Sequence, residues 1–205
     1  MQALWGQEAQ KHNASLQEMS FAQMAAGTPD AVNARNNFKY YPGVGPINSD
    51  AAPKLNNRSY TITVPVSRTA KTQNGVLVAM GDQFAGYTLY LKNNHLIYEY
   101  NLFGTVYKAE SNIEVPVGAS TLKFEFKKTG PFAGVGRLYI NDTLSGEVAM
   151  PQTCRVNLTF ESLDIGRDRH TPASKAYEKL GEFPFAGNLQ YVAYELQNDQ
   201  REIAN

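Results

Sequence analysis

The stretch Thr121-Leu122-Lys123-Phe124-Glu125-Phe126-Lys127 decides the fold class. Leucine or phenylalanine occupies every second position, and charged residues or threonine occupy the positions between them. Successive side chains of a β-strand point to opposite faces of the sheet, so the stretch predicts a strand with one apolar and one solvated face. Such alternation is typical of antiparallel sheets that cover a core on one side. We therefore expect Leu122, Phe124 and Phe126 to point into a core.

The same period of two recurs elsewhere in the chain. Tyr60, Ile62, Val64 and Val66 alternate with polar residues, and the stretch 155–160 repeats the pattern. The run Val76–Met80 is apolar at every position, which indicates an internal strand covered on both faces. About ten strands with turn residues every 8–12 positions are the spacing expected of a β-sandwich or barrel.

Two hairpins are predicted from the residues between strands. Gly86–Lys92 and His95–Asn101 are joined by Asn93-Asn94, and asparagine tolerates the positive φ angles of tight turns. The second hairpin pairs Arg137–Ile140 with Ser145–Met150 through the four residues between them.

The first 50 residues have a different pattern. Apolar residues from Leu4 to Ala26 are loosely spaced as in a helix, and Gly27 followed by Thr28-Pro29-Asp30 ends that pattern. A linker rich in proline and glycine follows. We therefore expect a helical extension and linker over residues 1–50 and an all-β, antiparallel β-sandwich over residues 51–205.

Composition excludes several classes of function. The chain has 19 Lys and Arg against 19 Asp and Glu, so its formal net charge is zero, which argues against nucleic acid as a partner. No apolar run is long enough to span a membrane. The N-terminus lacks the basic and apolar regions of a signal peptide, so the default expectation is a cytoplasmic protein. Cys154 is the only cysteine, which excludes an intrachain disulfide.

Eleven segments of the chain, taken in colinear order, carry a family likeness. They begin with the stretch from Leu4-Trp5 to Asp30, and the other ten are Tyr41–Gly43, Ala51–Pro53, Asn57–Thr63, Gly75–Ala79, Gly86–Tyr90, Tyr98–Asn101, Thr121–Phe126, Asp164–Asp168, Thr171-Pro172 and Phe185–Leu189. Together these segments resemble the region that follows the catalytic domain of bacterial-type arylsulfatases. The resemblance implies a concanavalin-like, laminin-G-like or jelly-roll β-sandwich that acts as an accessory domain, with a sulfatase domain as the partner that it packs on or orients.

The catalytic parts of a sulfatase are missing from this chain. The resemblance implies a formylglycine made from Cys or Ser in a Cys/Ser-x-Pro-x-Arg motif, but Cys154 is followed by Arg155-Val156-Asn157. Neither a histidine in a catalytic context nor a pair of carboxylates on one strand face suggests another enzyme. His95 and Glu99 share a strand face but lie too far apart to bind a metal together, which favours a solvated face. We therefore expect no catalysis, no cofactor and no metal.

Two groups of residues are candidates for ligand binding. Asp164, Arg167, Asp168 and His170 form the densest polar cluster, which could hold calcium or grip an anionic group. The favoured alternative is structural, with Asp168 accepting hydrogen bonds from backbone N–H groups of its own loop. Tyr90 and Tyr139, with Trp5, are candidates for stacking on sugars, although their alternation with polar residues is also that of core residues.

Two hypotheses for function follow from the sequence. The first is the non-catalytic accessory domain of an arylsulfatase. The second is a stand-alone lectin-like module that binds glycan at a loop-lined edge of the sandwich.

Overall fold

The structure, a computed structural model, describes residues 35–155 and 161–199, and these residues form twelve strands and one short 3-10 helix. The strands are β1 Asn37–Tyr40, β2 Tyr60–Arg68, β3 Gly75–Gly81, β4 Ala85–Lys92, β5 His95–Leu102, β6 Thr105–Glu110, β7 Gly118–Gly130, β8 Ala133–Ile140, β9 Thr143–Met150, β10 Leu163–Ile165, β11 Asn188–Leu189 and β12 Val192–Leu196, and the helix is Glu178–Leu180.

The strands form two antiparallel sheets that pack face to face. One has seven strands in the order β1-β12-β2-β7-β8-β9, with β11 also paired to β2, and the other has five in the order β10-β3-β4-β5-β6. The predicted fold class is confirmed: the described chain is an antiparallel β-sandwich with almost no helix.

The alternation in β7 places its apolar residues in the core, as predicted. Leu122, Phe124 and Phe126 are at most 3% exposed, and the ring of Phe124 stacks on Tyr98 of the facing sheet with 3.4 Å between centroids. The buried positions of β2, from Tyr60 to Val66, follow the predicted period as well.

In the described part of the chain, three hairpins have two-residue turns in which both residues have positive φ, the pattern of a type I′ turn. The predicted turn at Asn93-Asn94 is confirmed, with φ angles of 50° and 68°. The second predicted hairpin has a shorter turn than expected, Asn141-Asp142, because β9 begins at Thr143. The third turn, Phe103-Gly104, connects β5 to β6 and was not predicted.

The five-stranded sheet is covered on both faces. Its inner face packs against the other sheet, while residues 166–186, here called the covering segment, pack on its outer face. Val76, Ala79, Tyr90 and Ile97 of the sheet and Tyr177 of the covering segment form this second apolar layer. This arrangement explains why β3 is buried at every position, as its sequence predicted.

The seven-stranded sheet includes residues before position 51, which is the predicted start of the sandwich. Strand β1 pairs with β12, and the compact unit that contains the sandwich begins at Arg35. The predicted helical extension and Trp5 lie outside the described residues, as do residues 156–160 of the stretch for which a strand was predicted. Within the described residues, no helix has the length and hydropathy needed to cross a bilayer.

Candidate functional site

A row of residues crosses the outer face of the five-stranded sheet at consecutive positions. Strand register pairs Asp164 with Ala79, Ala79 with Thr88, Thr88 with Glu99, and Glu99 with Lys108. Asp164, Thr88 and Glu99 are all buried. Because buried polar groups need hydrogen-bond partners, the covering segment must supply them.

Asp168 of the covering segment makes two such contacts. Its Oδ2 accepts hydrogen bonds from the Ala173 N–H at 2.8 Å and the Tyr177 hydroxyl at 2.6 Å, and the latter lies 3.0 Å from Thr88 Oγ1. Burial raises the pKa of Asp168 to about 6, although both hydrogen bonds act in the opposite direction. Burial and the neighbouring Asp168 also raise the pKa of Tyr177. These contacts fasten the covering segment to the sheet.

The other members of the predicted polar cluster separate into buried and exposed residues. Asp164 binds Arg169, accepting from its guanidinium at 2.6 Å and its backbone N–H at 2.8 Å. Arg167 pairs with Glu182 at the surface, and His170 is exposed with a φ of 64°. The structure therefore does not gather the four predicted residues around one ligand position. Among the described residues, no group of three or more His, Cys, Asp or Glu could hold a metal ion.

Glu99 corrects the expectation of a solvated face beside His95. Glu99 is only 8% exposed. Its Oε1 accepts a hydrogen bond from the Tyr90 hydroxyl at 2.7 Å, and its Oε2 accepts one from the Ser174 hydroxyl at 2.5 Å. The physical reason is the covering segment, which lies over this face of β5. His95 instead places Nδ1 2.8 Å from the carbonyl oxygen of Ser111.

A groove opens where residues 173–175 of the covering segment lie beside β5 and β6. Its volume is about 100 Å³, and an adjacent depression of about 50 Å³ shares three of its residues and adds Thr171, Pro172 and Glu178. The groove has acceptors, donors and apolar surface together, which is the composition expected of a small-molecule site. It is lined by Gln83, Glu99, Asn101, Gly104, Val106, Ala173, Ser174 and Lys175.

Two exposed phenylalanines stand beside this groove on neighbouring turns. Strand register pairs Ala85 with Leu102, so Phe84, directly before Ala85, and Phe103, directly after Leu102, lie at the same sheet end. Phe84 is 66% exposed and Phe103 is 62% exposed. Large exposed apolar residues that lie close together mark interaction sites more often than isolated ones.

The turn that carries Phe84 is fixed by its own backbone and side chains. Asp82 Oδ1 accepts hydrogen bonds from the N–H groups of Phe84 and Ala85 at 2.7 and 3.1 Å. Gly81 and Gly86 lie so close together that a Cβ on either would meet a carbonyl oxygen at 2.2 Å. Only glycine permits this approach, which closes the turn tightly.

The turn that carries Phe103 has a conformation unsuited to that residue. Phe103 has a φ of 50°, whereas the corresponding positions of the other two type I′ turns hold Asn93 and Asn141. Asparagine and glycine favour this region, while a bulky side chain there costs free energy. A strained residue that also exposes an aromatic ring to water indicates a role other than stability.

Asn101 joins the two turns and keeps their geometry constant. Its Nδ2 donates to the Gln83 carbonyl oxygen at 2.6 Å, and its Oδ1 accepts from the Gly104 N–H at 2.9 Å. The residue Asn101 is itself buried, and both hydrogen bonds are partly buried. The two phenylalanines are thus presented on a rigid support.

The predicted stacking residues occupy different places. Tyr90 is completely buried under the covering segment, so it cannot present a ring to a sugar. Tyr139 lies half-buried on the outer face of the seven-stranded sheet, where its hydroxyl donates to Glu125 at 3.1 Å and Lys123 Nζ lies 5.2 Å from its ring centroid. A sugar could stack there only after Lys123 moves.

A second cavity lies between the sheets at the same end of the sandwich. Its volume is about 60 Å³, smaller than that of the groove. Its walls are mostly apolar, including Tyr60, Tyr100 and Phe126. Cys154 lies in the irregular segment after β9 and borders this cavity.

The sequence missed most residues of this site. The pattern assigns phenylalanines to the core and polar residues to solvent, and it cannot show that a distant segment covers Glu99. One pattern in the sequence could have located part of the site. Phe103-Gly104 are two residues between two alternating stretches, which is the spacing of a β-hairpin turn.

Comparison with known proteins establishes the fold class and no closer relationship. No protein-family model and no curated protein matches the chain. Among solved structures, the CBM40 of the IT-sialidase of Ruminococcus gnavus bound to α2,3-sialyllactose is similar, with a TM-score of 0.54 and 14% identity over 82% of this chain and 89% of that one. Its complex with α2,6-sialyllactose gives a TM-score of 0.53, with 14% identity over 82% and 93% of the two chains.

A leech intramolecular trans-sialidase complexed with 2,7-anhydro-Neu5Ac is also similar. Its TM-score is 0.50 and its identity 12%, over 82% of this chain and 26% of that one. At these identities the similarity establishes the fold alone. None of these comparisons links the chain to arylsulfatases, so that part of the resemblance stays a prediction without support.

Proposed function

We propose that this protein is a non-catalytic carbohydrate-binding module and that it binds glycan in the groove beside Phe84 and Phe103. The observation that carries the proposal is the pair of exposed aromatic rings, held on rigid neighbouring turns at the edge of a polar groove. This is the second of the two hypotheses drawn from the sequence, with its binding edge now assigned to particular residues.

A sugar ring has an apolar face of C–H groups and a rim of hydroxyls, and the site offers partners for both. The phenylalanine rings supply large apolar faces for stacking. The Glu99 carboxylate, the Gln83 amide and the Lys175 ammonium, all in the groove lining, supply acceptors and donors for hydroxyls. Few polar groups at fixed positions are what orient a ligand in such sites.

Rigidity supports the proposal as well. Asp82 and Asn101 fix the two turns, and the hydrogen bonds of Asp168 and Glu99 fix the covering segment that forms the opposite wall. A site that is ordered before the ligand arrives loses less conformational entropy on binding. That structures with this fold are bound to sialyllactose supports carbohydrate as the class of ligand.

An array of immobilised glycans tests the proposal. We expect the purified protein to bind at least one glycan class and the double variant Phe84→Ala/Phe103→Asn to lose that binding. Tyr41→Ala is the matched control, because Tyr41 is a similarly exposed aromatic, at 58%, in the loop after β1. Absence of binding by the wild type, or equal loss in the control, would contradict the proposal.

A further inference from the structure

Glu99 places a buried negative charge at the groove. Its carboxylate accepts two hydrogen bonds, from Tyr90 and Ser174, out of about four that a carboxylate can accept. Among residues 35–155 and 161–199, no Lys, Arg or His nitrogen lies within 4.0 Å of it. Its cross-strand neighbour Lys108 is paired with Glu110 at 2.7 Å instead. Within the described part of the chain, the charge of Glu99 is therefore uncompensated, and the carboxylate can accept further hydrogen bonds from a ligand.

The other charged residues that line the groove and the adjacent depression are at the surface. Lys175 on the wall and Glu178 in the adjacent depression are both exposed. Water and salt screen exposed charges strongly, while a charge buried in the protein acts at a lower effective dielectric constant. Glu99 therefore supplies the least screened charge in the groove lining.

We infer that the groove selects glycans through hydroxyl or ammonium groups that donate to Glu99 and rejects glycans whose binding unit carries a carboxylate or sulfate. This inference depends on the proposed function and specifies its ligand class as neutral or amino sugars. The similar structures that are bound to sialyllactose carry an acidic sugar, so the charge of the site separates this protein from them in ligand class.

The size of the discrimination follows from Coulomb's law. Two like unit charges about 10 Å apart, at an effective dielectric constant of about 20, repel by about 1.7 kcal/mol, which corresponds to somewhat more than a tenfold change in Kd. Removing the charge at position 99 should therefore improve the affinity for an acidic glycan, relative to its neutral counterpart, about tenfold.

Glycan pairs that differ only by a sialic acid or sulfate group test the inference, together with amino-sugar oligomers on the same array. The wild type should bind neutral or amino-sugar members and discriminate against the acidic ones. Glu99→Gln keeps the shape of the side chain, an acceptor for Tyr90 and a donor to Ser174, and should reduce that discrimination about tenfold. Glu147→Gln removes the same charge from an exposed residue of the other sheet and should leave it unchanged.

The outcomes separate the two proposals. If the wild type binds no glycan, the proposed function fails and the inference fails with it. If the wild type binds acidic glycans as well as or better than neutral ones, glycan binding stands and the inference is overturned. Loss of that acidic binding in Lys175→Gln would then assign the selectivity to Lys175.

Discussion

The pH dependence of stability gives a direct test of how the covering segment is held. Burial raises the pKa of Asp168 from its ordinary value of 3.8 to about 6, so the folded protein takes up a proton at pH values where the unfolded chain has released it. Stability contributed by this group is therefore greatest at low pH and falls as pH rises from about 4 to about 6. A shift of about two units corresponds to about 3 kcal/mol, as an upper value.

Asp168→Asn isolates this effect, because an asparagine oxygen can still accept from Ala173 and Tyr177 while the charge is gone. We expect the wild type to lose stability relative to the variant as pH rises from 4 to 6.5, and the difference to be constant above that. Urea unfolding at intervals of half a pH unit measures this difference, because the midpoint and the slope of each curve give the free energy of unfolding. Asp142→Asn, which removes a carboxylate that is 86% exposed, provides the reference.

Parallel stability curves for the wild type and Asp168→Asn would refute the account of a buried, desolvated carboxylate. If the wild type instead gained stability relative to Asp168→Asn as pH rises, Asp168 would be stabilised in its charged form. In that case the hydrogen bonds from Ala173 and Tyr177, which favour the charged form, would outweigh the desolvation of the carboxylate.

Three further predictions concern the core, the strained turn and the polar cluster. Phe124→Ala should cost about 3–5 kcal/mol in the free energy of unfolding, because Phe124 is fully buried against Tyr98; a loss under about 1 kcal/mol in chemical denaturation would contradict this packing. Phe103→Asn should change stability by less than about 1 kcal/mol, because relief of the unfavourable φ offsets the small buried part of the ring; a loss above about 2 kcal/mol would assign the ring a structural role. Calcium should leave the wild-type Tm unchanged relative to chelator, because arginine and backbone donors already occupy Asp164; stabilisation near 2.7 kcal/mol at a hundredfold excess over Kd would reveal a site.

Local patterns predicted the sandwich but not its functional edge. The alternation in β2 and β7 and the asparagines at positions 93 and 94 act over a few residues, so the sequence shows them directly. Glu99 is buried by a segment 67 or more residues later in the chain, and no periodicity in β5 records that contact. The residues of the predicted cluster at 164–170 do not line the groove, and only Asp168 among them contacts a groove residue, through the Ala173 N–H.

Sequence patterns also do not reveal that Phe84 and Phe103 are exposed. An apolar residue next to a strand is ordinarily assigned to the core, and exposure becomes visible only when the turn geometry is known. Asn101 is equally hidden, because its two hydrogen bonds connect turns that are close in space and separated in sequence.

The most direct test of the central claim is a titration of the isotopically labelled protein with the glycan that binds best on the array, followed residue by residue by NMR. The account predicts that the backbone amide signals that shift are those of Gln83 to Ala85, Phe103 to Thr105, and Ser174 and Lys175. Shifts confined to the open face of the seven-stranded sheet, around Lys123 and Tyr139, would contradict it, because the glycan would then bind on the other side of the sandwich.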